Sequence, residues 1–302
     1  MKPENHRLLR IVGHILLAIF VANAANKFFV VDLDHEMLHG FYARIFEFHG
    51  DAPDQYRILP LLPLKLLCGY LPFNHAVLLY NCIFGFLVLE LLWQMTLGLA
   101  SDWRWGMAFG YCILYIFLQY TGWRPDTMGL MALCLAATWL LRDLRDASLR
   151  WLLYAALVVA LSFSRAEIAL IYALFATFYR NRSYAVLIPI PIITQILLQE
   201  VFFPDAEYYS KAFMLWDNLR LHYLLRNPAT YLIAAALIVF RQQLFAFVKR
   251  TFKINAYFYL LLVGYAFLVL MIGRLNEYRL YLPFVPLLLM ITHGAKLAQR
   301  KQ

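Results

Sequence analysis

Long apolar runs separated by short polar breaks recur along the whole chain. A helix rising ~1.5 Å per residue needs about 20 apolar residues to cross the ~30 Å hydrocarbon core of a bilayer. Ten stretches are candidates: roughly 11–31, 74–98, 103–121, 123–141, 149–163, 166–180, 183–203, 228–246, 255–272 and 277–294. The pattern predicts an all-α polytopic membrane protein of about ten transmembrane helices, forming one domain over 1–302. The longest pieces outside the membrane are expected at 32–57 and 204–227. The first run is too long for the apolar core of a signal peptide and lacks a small-residue cleavage site, so it reads as a retained helix.

Two stretches decide the topology. Arg142, Arg145 and Arg150 precede residues 151–179, and Arg180 and Arg182 follow them. Basic flanks favour the cytoplasmic side, so the chain should cross twice between them. Each arm then has only about 15 residues, short of a full crossing. The turn at Ser164–Glu167 is therefore expected below the membrane surface, where charged irregular backbone survives only inside protein or beside a water-filled cavity. The second stretch, Ile58–Phe73, contains Pro60, Pro63 and Pro72, with Lys65 in its middle. It reads as a re-entrant or interfacial helix with Lys65 snorkelling to the headgroups.

Composition sharpens this picture. At 63% hydrophobic and 15% charged residues, with a mean hydropathy of +0.63, the chain has more apolar surface than a soluble fold needs. Aromatics make up 17% of it, many of them at span ends where an interfacial belt forms. The net charge of +9 would suggest nucleic acid, but the basic residues lie mostly in short loops between spans. With both termini cytoplasmic, 16 of the 27 Lys and Arg fall inside, as the positive-inside rule requires. No nucleic-acid partner is expected. Cys68, Cys82, Cys112 and Cys134 stand singly in or beside apolar stretches and read as packing residues rather than a disulfide or zinc set.

Five polar stretches fall on the outer side, and four of them carry an arginine there against the rule. They are Asp32/Asp34, Gln55-Tyr56-Arg57, Trp123-Arg124-Pro125-Asp126, Ser164-Arg165-Ala166-Glu167 and Asn276-Glu277-Tyr278-Arg279. Arg57, Arg124, Arg165 and Arg279 offer planar, permanently charged forks suited to phosphate oxygens. Asp32, Asp34, Asp126, Glu167 and Glu277 offer carboxylates for general-base work or for holding those arginines. Each residue alone also fits an interfacial anchor, and Pro125-Asp126 is an ordinary helix start. Together, an outward cavity of arginines and carboxylates in an apolar scaffold suits a lipid-linked phosphate whose tail stays in the bilayer. Glu90 departs from the pattern, falling near the inner third of its helix.

Several of these motifs carry a resemblance. Asp32-Leu33-Asp34-His35-Glu36 running to Phe41-Tyr42-Ala43 resembles the acidic first loop of GT-C-type glycosyltransferases that use polyprenyl-phosphate sugars. Tyr56-Arg57-Ile58-Leu59-Pro60-Leu61-Leu62 is similar to the start of their second membrane segment. Arg124-Pro125-Asp126, Ser164-Arg165-Ala166-Glu167 and Glu277-Tyr278-Arg279-Leu280-Tyr281-Leu282-Pro283 are similar to stretches of bacterial members. The resemblance implies a GT-C-like membrane core in the bacterial inner membrane, acting at the periplasmic face in cell-envelope polysaccharide synthesis. It implies Asp34 as catalytic base, with Asp32 as runner-up. Arg57, Arg124, Arg165 and Arg279 would bind the donor phosphate, with Tyr56, Asp126, Glu167 and Glu277 in support. The partners it implies are a polyprenyl-phosphate-linked sugar, membrane lipid and an envelope-assembly protein. It requires no cofactor, although a divalent cation is compatible with it. Many members carry a soluble periplasmic domain after the membrane core; none is expected from this sequence, which leaves the acceptor open.

A rival motif lies in the same loop. His35-Glu36-Met37-Leu38-His39 is a complete HExxH, which on a helix places two imidazoles one turn apart beside a glutamate that can activate zinc-bound water. The extended histidine pattern of metzincins is missing, and a third ligand would have to come from His49, Asp51 or Asp54. A membrane zinc metalloprotease is thus one alternative. A non-enzymatic lipid or sugar transporter, or an assembly subunit, is another, although no correspondence between the two halves supports transport.

Overall fold

A computed structural model describes residues 3–27, 35–51, 54–97, 125–206, 218, 220, 228–272 and 278–299. All regular structure among them is helical. Twelve α-helices follow in chain order: α1 Pro3–Ala25, α2 His35–Phe46, α3 Ile58–Cys68, α4 Phe73–Thr96, α5 Asp126–Asp143, α6 Ala147–Ser162, α7 Ala166–Tyr179, α8 Pro189–Leu197, α9 Pro228–Val239, α10 Arg241–Ile254, α11 Ala256–Ile272 and α12 Phe284–Gln299. Short 3₁₀ turns at Asp54–Tyr56, Arg182–Leu187 and Tyr278–Tyr281, and a π turn at Leu198–Phe202, join or extend them.

Among the described residues, three helical segments are long and apolar enough to cross a membrane: Arg7–Ala25, Phe73–Thr96 and Arg182–Phe202. The bent pair Leu244–Lys253 and Ala256–Met271 passes the same test together. The expected span at 103–121 lies outside the described residues, as do the loops around 28–34 and 207–217. The expected span 228–246 is broken in the structure. α9 stops at Val239 and α10 starts at Arg241, because Arg241-Gln242-Gln243 interrupts the apolar run.

An apolar core is accompanied by many exposed apolar side chains on the outer helix faces. α1 turns a narrow stripe of His14, Ala18, Val21, Ala22 and Ala25 toward α4, while Leu16 and Phe20 on its other faces are 62% and 72% exposed. Helices that share an apolar solvent gain little from burying Leu or Phe against each other and associate instead through close packing of small residues. α7 follows this rule, with Ala166, Ala169, Ala173 and Ala176 forming a buried stripe at alternating three- and four-residue spacing. α5 sits at the centre, nearly all buried, in contact with α3, α4, α6 and α12.

Gly129 in α5 shows how tight this packing is. A Cβ there would fall 2.5 Å from the Tyr80 hydroxyl and 3.0 Å from Pro60 Cβ. The hydroxyl has little room to move, because it donates to the Pro60 carbonyl at 2.6 Å. Gly129→Ala should therefore lower stability by about 1–2 kcal/mol, the overpacking outweighing alanine's better helix propensity. Thermal unfolding in detergent would read this as a lower midpoint; an unchanged or raised midpoint would contradict the packing.

The two ends of the bundle are chemically distinct. At one end arginines meet the C-terminal carbonyls of helices, where the helix dipole is negative. Arg142 Nη1 donates to Met95 O and Nη2 to Gln94 O, both at 2.7 Å, closing α4. Arg180 Nη2 donates to Leu141 O at 2.6 Å near the end of α5. The N-termini of α4, α5 and α7 lie at the other end.

Candidate functional site

The hairpin of α6 and α7 places the first functional side chains. Tyr154 Oη donates to Tyr172 O at 2.7 Å, pairing residues nearly equidistant from the turn, so the arms run antiparallel. At ~1.5 Å per residue the helices, 16 and 14 residues long, span about 24 and 21 Å, less than a full hydrocarbon core. Between them Arg165 is extended, at φ −160 and ψ 101, and its amide donates back to Leu161 O at 2.6 Å. Its side chain turns onto Glu167, with Nε 2.6 Å from Oε1 and Nη2 contacting the same oxygen. Nη2 also donates to the Tyr265 hydroxyl at 3.2 Å. Tyr265 lies seven residues before the end of α11, so Arg165 meets that helix about 10 Å inside its terminus.

Arg57 approaches from the other side. It follows the 3₁₀ turn Asp54–Tyr56 and immediately precedes α3. Its Nη1 lies 2.7 Å from Asp54 Oδ1 and 3.5 Å from Asp126 Oδ2, the latter on the first residue of α5. α3 is tied to the hairpin directly, because Leu59 N donates to Phe163 O at 3.3 Å. Glu167 lies within Coulombic range of Arg57, and Arg165 within that of Asp126. The expected stretches around Arg57, Asp126 and Arg165–Glu167 thus meet at one end of the bundle. Just after the fifth stretch, the Tyr281 ring lies 6.1 Å from that of Tyr265, and Tyr172 Oη donates to Pro283 O at 2.8 Å.

The described members comprise two arginines against three carboxylates: Arg57 and Arg165 with Asp54, Asp126 and Glu167. Both guanidinium groups are engaged with carboxylates, which fixes their orientation at the expense of net positive charge. An anionic ligand would therefore have to share or displace these contacts. Asp54 is 2% exposed at its side chain and Glu167 36%, so Glu167 is the member most open to exchange.

Other expected residues have structural partners. Tyr56 is buried, packing on Leu198 and Phe203. Gln55 accepts from Gly50 N at 2.6 Å and braces the loop after α2. Lys65, expected to snorkel, instead donates to Phe46 O at 2.6 Å and sits over the Phe48 ring. Arg279 falls in the 3₁₀ turn before α12. Asp32, Asp34, Trp123, Arg124 and Glu277 lie outside the described residues. His35 opens α2 and His39 follows one turn later. Among the described residues no group of three His, Cys, Asp or Glu side chains is placed to hold a metal ion.

Sequence reasoning missed two participants. Asp54 was weighed only as a zinc ligand, although its three-residue spacing from Arg57 signals an ion pair. Tyr265 stands inside an apolar run and gives no signal at all. A second ionic group, at the opposite end, explains the displaced Glu90. Its Oε1 accepts from Arg10 Nη2 at 2.7 Å and Gln94 Nε2 at 2.9 Å, and Oε2 lies 3.0 Å from His14 Nδ1. Glu90→Ala would leave the Arg10 guanidinium against Trp93 without its counter-charge. A loss of about 2–3 kcal/mol is expected, read as a lower unfolding midpoint. Stability equal to wild type would show the pair to be dispensable.

Compared with known proteins, the chain matches no family model, no curated protein and no solved structure. Fold and site by themselves define a class: an all-helical protein with apolar helices able to cross a membrane, and an ionic cluster assembled from distant segments at one end.

Proposed function

We propose that the chain is a GT-C-type glycosyltransferase of the bacterial inner membrane, transferring a sugar from a polyprenyl-phosphate donor at the periplasmic face. The observation that carries this reading is the meeting of Arg57, Asp126, Arg165 and Glu167, from three separate stretches, at the end of the bundle where the short α6–α7 hairpin turns. In the proposed reaction Asp34, or Asp32, takes the proton of an acceptor hydroxyl. The hydroxyl oxygen attacks the anomeric carbon as the bond from that carbon to the phosphate oxygen breaks. The electron pair leaves with polyprenyl phosphate, whose charge Arg57, Arg124, Arg165 and Arg279 receive. The carboxylates that hold Arg57 and Arg165 keep both forks in place until the phosphate shares or takes over their contacts. Ten crossings and cytoplasmic termini belong to this proposal.

Purified protein in proteoliposomes, supplied with a lipid-linked sugar, should form a new glycosidic bond. Movement of lipid or sugar across the bilayer without such a bond would favour the transporter reading instead. The protease reading draws on one observation, the placement of His35 and His39 one turn apart on α2. It predicts about one zinc ion per chain after purification; a metal-free protein that still transfers sugar would remove it.

A further inference from the structure

We infer that α10 is an in-plane amphipathic helix that docks on the anionic headgroups of the leaflet at its end of the bundle. The helix reads Arg-Gln-Gln-Leu-Phe-Ala-Phe-Val-Lys-Arg-Thr-Phe-Lys-Ile over Arg241–Ile254. At ~100° per residue, Leu244, Phe245, Val248 and Phe252 fall within one face, with Lys249 and Lys253 along one edge of it and Arg241 within it at the first residue of the helix. Those four apolar side chains are 38%, 73%, 41% and 51% exposed, a large apolar load for one short face.

The geometry directs this face to a lipid surface. α10 turns 116° from α11 across Asn255, closer to perpendicular than to collinear. With α11 along the membrane normal, α10 lies near the membrane plane, where an amphipathic helix buries its apolar side at the headgroup boundary. The bend is built, not loose. Asn255 N donates to Thr251 O at 2.9 Å, and Phe258 N donates to Asn255 Oδ1 at 3.2 Å. Thr251 Oγ1 also bonds the Tyr259 hydroxyl, and Phe252 and Tyr259 pack ring to ring at 5.5 Å.

Charge selects the lipid. From Asn218 to Asn276 the chain contains no Asp or Glu, and α10 alone carries Arg241, Lys249, Arg250 and Lys253. Leu260, Val263 and Phe267 of the adjoining α11 are exposed as well, apolar surface of the kind a bilayer would cover. Lysines beside such a face reach headgroup phosphates through their alkyl stems.

The test places nitroxide labels singly at Phe245, Phe252 and Ala246, in a background with Cys68, Cys82, Cys112 and Cys134 replaced by alanine. The protein is reconstituted in phosphatidylcholine with or without phosphatidylglycerol, and collisions with oxygen and a water-soluble nickel chelate are compared. Labels at Phe245 and Phe252 should report shallow acyl depth, and the label at Ala246 should report water. Equal accessibility at Phe245 and Ala246, or mid-bilayer depth throughout, would overturn the assignment. So would a Phe245 label shielded from both agents, which would mean packing against protein. In case the cysteine-free protein does not fold, native mass spectrometry of the unaltered chain supplies a second reading. It should retain phosphatidylglycerol in preference to phosphatidylcholine, with the preference falling about fivefold per lysine removed in Lys249→Gln and Lys253→Gln. No preference in the wild type, or the same preference in both variants, would also overturn it.

Discussion

Arg165→Ala should both weaken the fold and stop sugar transfer, and adding Glu167→Gln should repair only the first defect. Arg165 is 13% exposed at its side chain and binds Glu167 through two of its nitrogens while reaching the Tyr265 hydroxyl. Removing it strands the Glu167 carboxylate beside the α6–α7 turn. Breaking a fully buried pair costs about 3–5 kcal/mol. Glu167 is partly open to solvent, so about 2–3 kcal/mol is expected here. Neutralising residue 167 removes the stranded charge, so the double variant should recover most of the unfolding midpoint. Transfer should stay down by about 10²–10³, the usual consequence of losing one preorganised donor to developing charge. Recovery of transfer in the double variant would make Arg165 a purely structural partner of Glu167.

Asp34→Asn is expected to have the largest effect on transfer, a loss of about 10²–10⁴ with little change in stability. The amide keeps the size of the side chain but cannot accept the acceptor's proton. Asp32→Asn should cost much less if Asp34 is the base, and the two results should exchange if Asp32 is. Initial rates of glycosidic bond formation in proteoliposomes separate the cases. Full activity in both variants would remove the assigned base. Glu36→Gln, two positions further on, should leave transfer intact, whereas under a zinc mechanism it would be the most damaging of the three.

The sequence made local order legible where one physical signal dominated. Basic flanks at Arg150 and Arg180 around two short apolar arms led to a hairpin, and α6 and α7 turn at Phe163–Arg165. An uninterrupted apolar run led to α4, which spans Phe73–Thr96. The run at 228–246 misled, because the apolar residues on both sides of Arg241-Gln242-Gln243 average into one span, while those three polar residues start a separate helix. Long-range pairings were harder to read. Glu90 looked misplaced until Arg10 and His14, some 80 residues earlier, were brought beside it by the packing of α1 on α4. Polar residues of the expected site converged around Arg57 and Arg165, but the sequence could not foresee that both would already be engaged with carboxylates. Tyr265 was hidden because an aromatic inside an apolar helix has no pattern of its own to set it apart.

That engagement sharpens the central claim into one about exchange. A phosphate reaching this cluster must take over contacts now made by Glu167, Asp54 or Asp126, so ligand and carboxylates compete for the same guanidinium groups. The most direct measurement is release of free polyprenyl phosphate from a polyprenyl-phosphate sugar by the wild-type protein in proteoliposomes, beside Arg165→Ala/Glu167→Gln. The wild type should release it in step with a new glycosidic bond, and release should fall about 10²-fold or more in the folded double variant. Equal release by both proteins, or intact donor with the wild type, would contradict it.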